Sequence, residues 1–216
     1  VDVDALVHLA SEISLVIAMA EARIELSAFL ANEDTGLTFD DLLRDIAGDD
    51  VRALLDADLA SVGPAYSRAV TGGLPELRAR YRDIFGADGV DFLAFPTVPL
   101  PAPRIGEDLQ VLLNGANVPT FQTLIRNTDP GACAGVPGIT LNSGTSRDGL
   151  PIGIAFEADF GADRLLLEFG RAIGGDFPVA PFKRQSGPHE LSWPQHQQKC
   201  AIDGNNDCCS MKGDVL

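Results

Sequence analysis

Three short apolar runs, each closed by proline or glycine, organise the middle of the chain. They lie at about 90–95, 136–142 and 150–158. Runs this short with breakers at their ends are typical of buried strands rather than of helices. The last two runs are separated by about eight residues, which favours a neighbouring antiparallel pair. We therefore predict a mixed β-sheet built from these three segments.

Helical patterns surround the sheet segments. From Ala5 to Asn32 apolar side chains recur at steps of three and four, and further apolar residues, such as Leu15 and Phe29, lie off this stripe. A helix with apolar residues on more than one side should be largely covered. Thr38 and Asp41 have the spacing of a capping box. We predict further helices at about 39–46, 51–60, 76–85, 117–125 and 164–173.

This alternation predicts an α/β fold with helices on the faces of the sheet. We divide the chain into a body at 1–182 and an irregular tail at 183–216. Within the body, 1–86 is a helical layer, and 87–182 holds the sheet and a closing helix. The tail has no period of 2 or 3.6, and it fits a flexible end, a foreign extension or a reading-frame artefact equally well.

The charge lies in the body, which holds 12 basic and 27 acidic residues of the 16 and 31 in the whole chain. A surface this acidic repels phosphate backbones and anionic lipids, so we expect no nucleic acid partner. No signal peptide is evident, and no apolar run approaches the roughly 18–20 residues that span a bilayer, so we expect no membrane partner. Cys133 is the one cysteine of the body, which favours a cytoplasmic protein. Because the first residue is Val1, we expect a fragment or a processed product.

Five separated segments of the body share their order with one known family. They are Asp91–Thr97, Asn127–Gly131, Ala134–Gly138, Asp148–Gly153 and Leu165–Gly170. Together they resemble the C-terminal half of the amidase signature hydrolases. An upstream segment at 35–41 is similar to the mandelamide and indoleacetamide hydrolase branch of that family, and the resemblance covers about 1–180.

The resemblance implies a partial amidase-signature fold and cleavage of C–N amide bonds. In the family a serine is the nucleophile, and a second serine relays its proton to a neutral lysine. Lys183, Lys199 and Lys212 are the lysines of this chain, and all three lie in the tail. The segment Ser143–Ser146 follows a strand and is interpreted as a turn. We therefore expect no catalytic residue in this chain.

Thr97, Thr128, Asp129 and Cys133 are the residues that we expect to line a substrate pocket. Three of them also have a structural interpretation: Thr97 caps or turns the chain after a strand, Asp129 begins a turn or helix, and Cys133 is a small buried side chain at or next to a position where the family usually carries Asn. No cofactor is expected.

The tail also holds a set of soft metal ligands: His196, Cys200, Cys208 and Cys209. Their spacing is not that of a structural zinc site, since adjacent cysteines rarely chelate one ion without strain. We therefore expect no metal.

The sequence predicts an amidase-like hydrolase, with aryl-acetamides as the substrate class, that is inactive without a catalytic half. Its partners would be a small-molecule amide, when that half is present, and further chains in a homo- or hetero-oligomer. The alternative is a non-catalytic binding or assembly partner of a catalytic chain. A third option is an unrelated hydrolase that uses Cys133 as its nucleophile.

Overall fold

The computed structural model describes residues 3–56, 59–87 and 89–174, without the side chains of 49, 50 and 59–62. The tail predicted at 183–216, with its lysines and candidate metal ligands, lies outside these residues, as does the boundary predicted at 182. Eight α-helices and five strands are described: α1 Asp4–Asn32, α2 Phe39–Asp45, α3 Asp49–Leu55, α4 Leu59–Arg68, α5 Leu74–Gly86, β1 Leu93–Pro96, β2 Gln110–Leu113, β3 Ala116–Pro119, α6 Thr120–Ile125, α7 Asp129–Ala134, β4 Gly138–Thr145, β5 Pro151–Glu157 and α8 Asp163–Ile173.

The sheet forms from the three predicted apolar runs. Its strand order is β1–β5–β4, so β5 lies between the other two. Leu93 pairs with Glu157, and Gly138 pairs with the same residue on the other side of β5. The α/β class and the antiparallel pairing of the last two runs are confirmed. Both pairs in the described part of this sheet are antiparallel, whereas a mixed sheet was predicted.

Five α-helices are described between Asp4 and Gly86, and their ends differ from the predicted ones. The capping box of α2 is present, because the Thr38 hydroxyl accepts from the backbone N–H of Asp41, whose carboxylate accepts from the N–H of Thr38. The helix predicted at 51–60 is wrong in its bounds: α3 ends at Leu55 and α4 begins at Leu59. One π-helical turn, Ala69–Gly73, joins α4 to α5 where the chain passes Ile13 of α1.

The helix predicted at 117–125 is also wrong at its start. Residues Ala116–Pro119 pair with Gln110–Leu113 in a two-stranded sheet, and α6 begins after Pro119. Asn114 and Gly115 supply the two positive φ angles, 51° and 83°, of the tight turn between these strands. An Asn-Gly pair between apolar residues is a hairpin signal that takes precedence over the helix pattern here.

One core packs α1 against α5 and α7. Its largest fully buried side chains are Leu77 and Tyr81 of α5. The far half of α1 is not covered as expected: Ile24 is 65% exposed and Phe29 is 58% exposed. By length and composition α1 could cross a membrane, whereas no apolar run of that length was expected. The core helix of a soluble protein and a signal sequence meet the same criteria. The absence of a membrane partner therefore stays a prediction.

Candidate functional site

Two of the four predicted site residues lie on the short helix α7, and a third lies directly before it. Thr128 precedes it, Asp129 begins it and Cys133 is in its last turn. Gly135 ends the helix with a φ of 85°, a left-handed conformation that glycine adopts without strain. The prediction that Asp129 begins a turn or helix is therefore confirmed.

Hydrogen bonds tie α7 to its neighbours. The Ser14 hydroxyl of α1 donates to Asp129 Oδ2 at 2.7 Å, and Nε of Arg78 in α5 donates to the carbonyl of Ala134 at 2.9 Å. The Thr128 hydroxyl donates back to the carbonyl of Ile125 and makes no capping bond to the helix. Asp129 and Thr128 therefore hold α7 in place through bonds within the protein.

Cys133 is half-buried and packs against the core. Burial, and then the charge of Asp129, raise the pKa of its thiol, while Arg78 opposes the rise. A thiol with a raised pKa holds little thiolate at neutral pH, and the thiolate is the nucleophilic form. This environment disfavours the option of a Cys133-dependent hydrolase.

Thr97 lies apart from α7, just past β1. Its backbone N–H donates to the carbonyl of Gly153 at 3.0 Å, and its hydroxyl lies 3.3 Å from that of Thr140. The side-chain amide of Asn127 donates to the carbonyl of Pro96 at 2.8 Å, which links the segment before α7 to the end of β1. The structure thus brings the neighbours of Thr97 and Thr128 together, and no described bond joins the two threonines directly.

A cavity of about 230 Å³ lies beside this link, between the first turn of α1, β1 and the start of α7. Its wall is predominantly apolar, with Asn127, Tyr81 and Glu157 as its polar side chains. The lining residues are Val3, Leu6, Val7, Tyr81, Leu93, Ala94, Phe95, Pro96, Asn127, Pro130 and Glu157.

Glu157 is the residue that sequence reasoning missed. Its side chain is 6% exposed, and Oε2 accepts a 3.0 Å hydrogen bond from the Tyr81 hydroxyl. Burial raises the pKa of Glu157 to about 7, and the bond from Tyr81 opposes that rise. Burial, followed by the neighbouring Glu157 carboxylate, also raises the pKa of Tyr81. A carboxyl group with a pKa near neutrality can give or accept a proton at the pH where it works.

A sequence signal for this pair existed. Glu157 is the acidic residue inside the apolar run 154–158, and a charged residue in a buried strand is rare unless it is partnered. Tyr81 lies four residues after Leu77 in α5, so it faces the same buried side. The pattern placed both residues in the core but did not show that they would meet.

The serines of the segment 143–146 are not among the residues that line the cavity. Ser143 lies within β4, and Ser146 closes the turn between β4 and β5 by accepting from the N–H of Leu150. Among residues 3–56, 59–87 and 89–174, no group of three or more His, Cys, Asp or Glu side chains could hold a metal ion.

Comparison with known proteins assigns the fold to a family. The family model named Amidase matches residues 1–167. Indoleacetamide hydrolase from Allorhizobium ampelinum is 33% identical over 175 residues, 80% of this chain and 38% of the relative. Mandelamide hydrolase from Pseudomonas putida is 30% identical over 190 residues, covering 81% and 36% respectively. A crystal structure described as an amidase superposes with a TM-score of 0.62 and 25% identity, over 78% of this chain and 36% of that one.

This chain therefore spans less than two-fifths of the length of these relatives. The resemblance to the mandelamide and indoleacetamide hydrolases is confirmed, and so is the partial amidase-like fold.

Proposed function

The chain belongs to the amidase family, and from that premise we propose that it is the non-catalytic, C-terminal portion of an enzyme that hydrolyses C–N amide bonds. The observation that carries the proposal is the position of its lysines. None precedes Lys183, so 1–182 lacks the amine that would accept the proton of a nucleophilic serine.

The serines of the body support the same conclusion. Ser14 donates to a carboxylate, whereas Ser11 and Ser27 donate to carbonyls of their own helix. A carboxylate that accepts a hydrogen bond from a serine is a much weaker base than a desolvated lysine amine, so it does not generate an alkoxide at neutral pH.

We propose aryl-acetamides as the substrate class of the whole enzyme. The names of the relatives, indoleacetamide hydrolase and mandelamide hydrolase, support this choice. Thr97, Thr128, Asp129 and Cys133 would then contribute to the wall that faces the substrate. Their bonds to Thr140, Ile125 and Ser14 suit residues that shape such a wall rather than residues that react.

Release of ammonia from indole-3-acetamide and mandelamide by the purified full chain tests this proposal. The expected rate equals that of a boiled control, because no acyl-enzyme can form. Turnover at an enzyme-like rate, about 1 s⁻¹ or more, would contradict it. The matched variant Ser14→Ala shows whether Ser14 causes any ammonia release that is observed. Ser14 is chosen because it is the described serine whose hydroxyl contacts a side-chain carboxylate.

The second candidate is a non-catalytic assembly partner of a separate catalytic chain. The exposed side chains of Ile24 and Phe29 on α1 favour it, because a partner chain that packs against this helix would cover them. Sedimentation of the pure chain separates the outcomes. Self-association that Ile24→Glu abolishes supports an assembly role, and a clean monomer up to high concentration argues against it.

A cytoplasmic location and a homo- or hetero-oligomeric state stay predictions. The location fits a body in which Cys133 is the one cysteine.

A further inference from the structure

The cavity beside α7 contains a carboxyl group with no cationic partner. The partner that the structure gives to Glu157 is the neutral hydroxyl of Tyr81. None of the described residues that line the cavity is basic, and none of the described salt bridges includes Glu157. A buried carboxylate without a cation is costly, and a bound cation would offset that cost.

The position of the carboxyl group is fixed from three sides. Tyr81 holds it from α5, the backbone of β5 carries it, and α7 packs against it at Gly131. A Cβ atom at Gly131 would overlap the carboxyl group, at 2.6 Å from its Cδ. The side chain therefore has little freedom to turn away, and it remains part of the cavity wall.

The rest of the wall suits an apolar body. Leu6 and Val7 of α1 and Phe95 of β1 are among its apolar side chains, and Asn127 is the other polar side chain besides the pair. A volume of about 230 Å³ is below the range of roughly 300–1,000 Å³ usual for drug-sized ligands, so one small ring fits better than a long chain.

We propose that this cavity binds a small apolar amine, whose ammonium group pairs with the Glu157 carboxylate while its ring contacts the wall formed by α1 and β1. The proposal does not depend on amide hydrolysis by this chain.

The chemistry makes binding depend on pH. The ammonium group needs the ionised carboxylate, and burial raises the pKa of Glu157 to about 7. Binding near pH 6 therefore displaces a proton from Glu157 to solvent, whereas binding near pH 8 does not. Affinity should rise as the pH rises through 7 and then level off.

The other titratable groups around the carboxyl group leave this direction unchanged. Tyr81 on α5 stays neutral, because burial and Glu157 raise its pKa. On α7, Cys133 also has a raised pKa, and Asp129 is engaged by Ser14. The cavity-lining residues of α1 and β1 carry no titratable side chain.

Calorimetric titration of the full chain with benzylamine, at pH 6 and pH 8, tests the site. Benzylamine is protonated at both values, so only the protein changes its charge. We expect one site per chain and affinity about tenfold higher at pH 8, which is the ratio of the ionised fractions of Glu157 at the two pH values. Benzyl alcohol and benzamide, which have the ring without the cation, should bind at least tenfold more weakly.

Two variants and a control locate the site. Glu157→Gln should lose the pH dependence and at least tenfold of the affinity at pH 8. Val7→Trp fills the cavity from a half-buried position of α1 and should abolish binding if Glu157→Gln does not fold. Glu168→Gln, on the exposed face of α8, should bind as the parent chain does.

Three results would overturn the proposal: no benzylamine binding by the folded chain at millimolar concentration, equal binding of benzamide, or binding that survives both Glu157→Gln and Val7→Trp.

Discussion

The Tyr81 hydroxyl donates a 3.0 Å hydrogen bond to Glu157 Oε2 and joins α5 to the last residue of β5 across 76 positions of the chain. Both side chains are buried, so the bond is shielded from water. It links the helical layer to the sheet at the point where α7 also packs. The pair therefore couples the stability of the fold to the protonation of one carboxyl group.

Stability should fall as the pH rises from about 4.5 to 7. The pKa of Glu157 is raised from 4.5 to about 7 in the folded chain, so in this window the folded state binds more protons than the unfolded state. The stability it contributes is fully present below pH 4.5 and is lost as the pH rises through 7. The shift corresponds to about 3 kcal/mol at most. Urea unfolding midpoints at pH 5 and pH 8 measure it.

Glu157→Gln should flatten this pH profile, because the amide has no charge to lose or gain. Glu168→Gln, at an exposed position on α8, is the control and should leave the profile unchanged. A profile that stays the same in Glu157→Gln would show that another group causes it.

Tyr81→Phe should destabilise the chain more at pH 8 than at pH 5. The lost bond reaches an ionised acceptor at pH 8 and a neutral one at pH 5, and bonds to charged groups are worth about 1.5–3 kcal/mol against about 1 for neutral ones. Unfolding free energies of the parent and the variant at the two pH values measure the difference. Equal losses at both values would contradict a charged acceptor.

Gly131→Ala should destabilise the chain by about 1–3 kcal/mol, because its Cβ would overlap the Glu157 carboxyl group. Gly63→Ala in α4 is the matched control, since nothing lies within 4 Å of its Cβ position, and it should be neutral or stabilising. In a Glu157→Ala background the cost of Gly131→Ala should largely vanish. If Gly131→Ala still lowers the free energy of unfolding by the same amount in the Glu157→Ala background, the overlap is not with the Glu157 carboxyl group.

Ser14→Ala should cost about 1–2 kcal/mol, because it removes the bond that ties α1 to Asp129 of α7. Ser11→Ala is the control: that hydroxyl is exposed and bonds within its own helix, so its loss should be close to neutral. Thermal unfolding of the two variants side by side makes the comparison. Equal small effects would mean that the Ser14–Asp129 bond adds nothing to stability.

Local patterns predicted most of the elements. Leu93–Pro96, Gly138–Thr145 and Pro151–Glu157 follow from short apolar runs between breakers, and α2 follows from its capping box. These features depend on neighbours in sequence. The β2–β3 hairpin was missed because its Asn114-Gly115 turn was passed over in favour of the helix pattern that follows it.

The candidate site was harder to predict because its contacts are long-range. Asp129 and Cys133 were chosen from a turn motif, and their position on one short helix was foreseeable. The meeting of Tyr81 with Glu157 depends on how α5 lies across the sheet, which no local pattern encodes. The exposure of Ile24 and Phe29 on α1 was not predicted. Apolar residues on two sides of a helix indicate burial only if other parts of the protein pack against both sides.

Serine-directed labelling tests the central claim, that this amidase-family chain holds no activated nucleophile. The full chain is treated with a fluorophosphonate, which forms a covalent bond to a serine whose proton a nearby base removes, and its intact mass is then measured. The predicted result is an unchanged mass of 22.8 kDa. One stoichiometric adduct per folded chain, mapped to a single serine, would contradict the account.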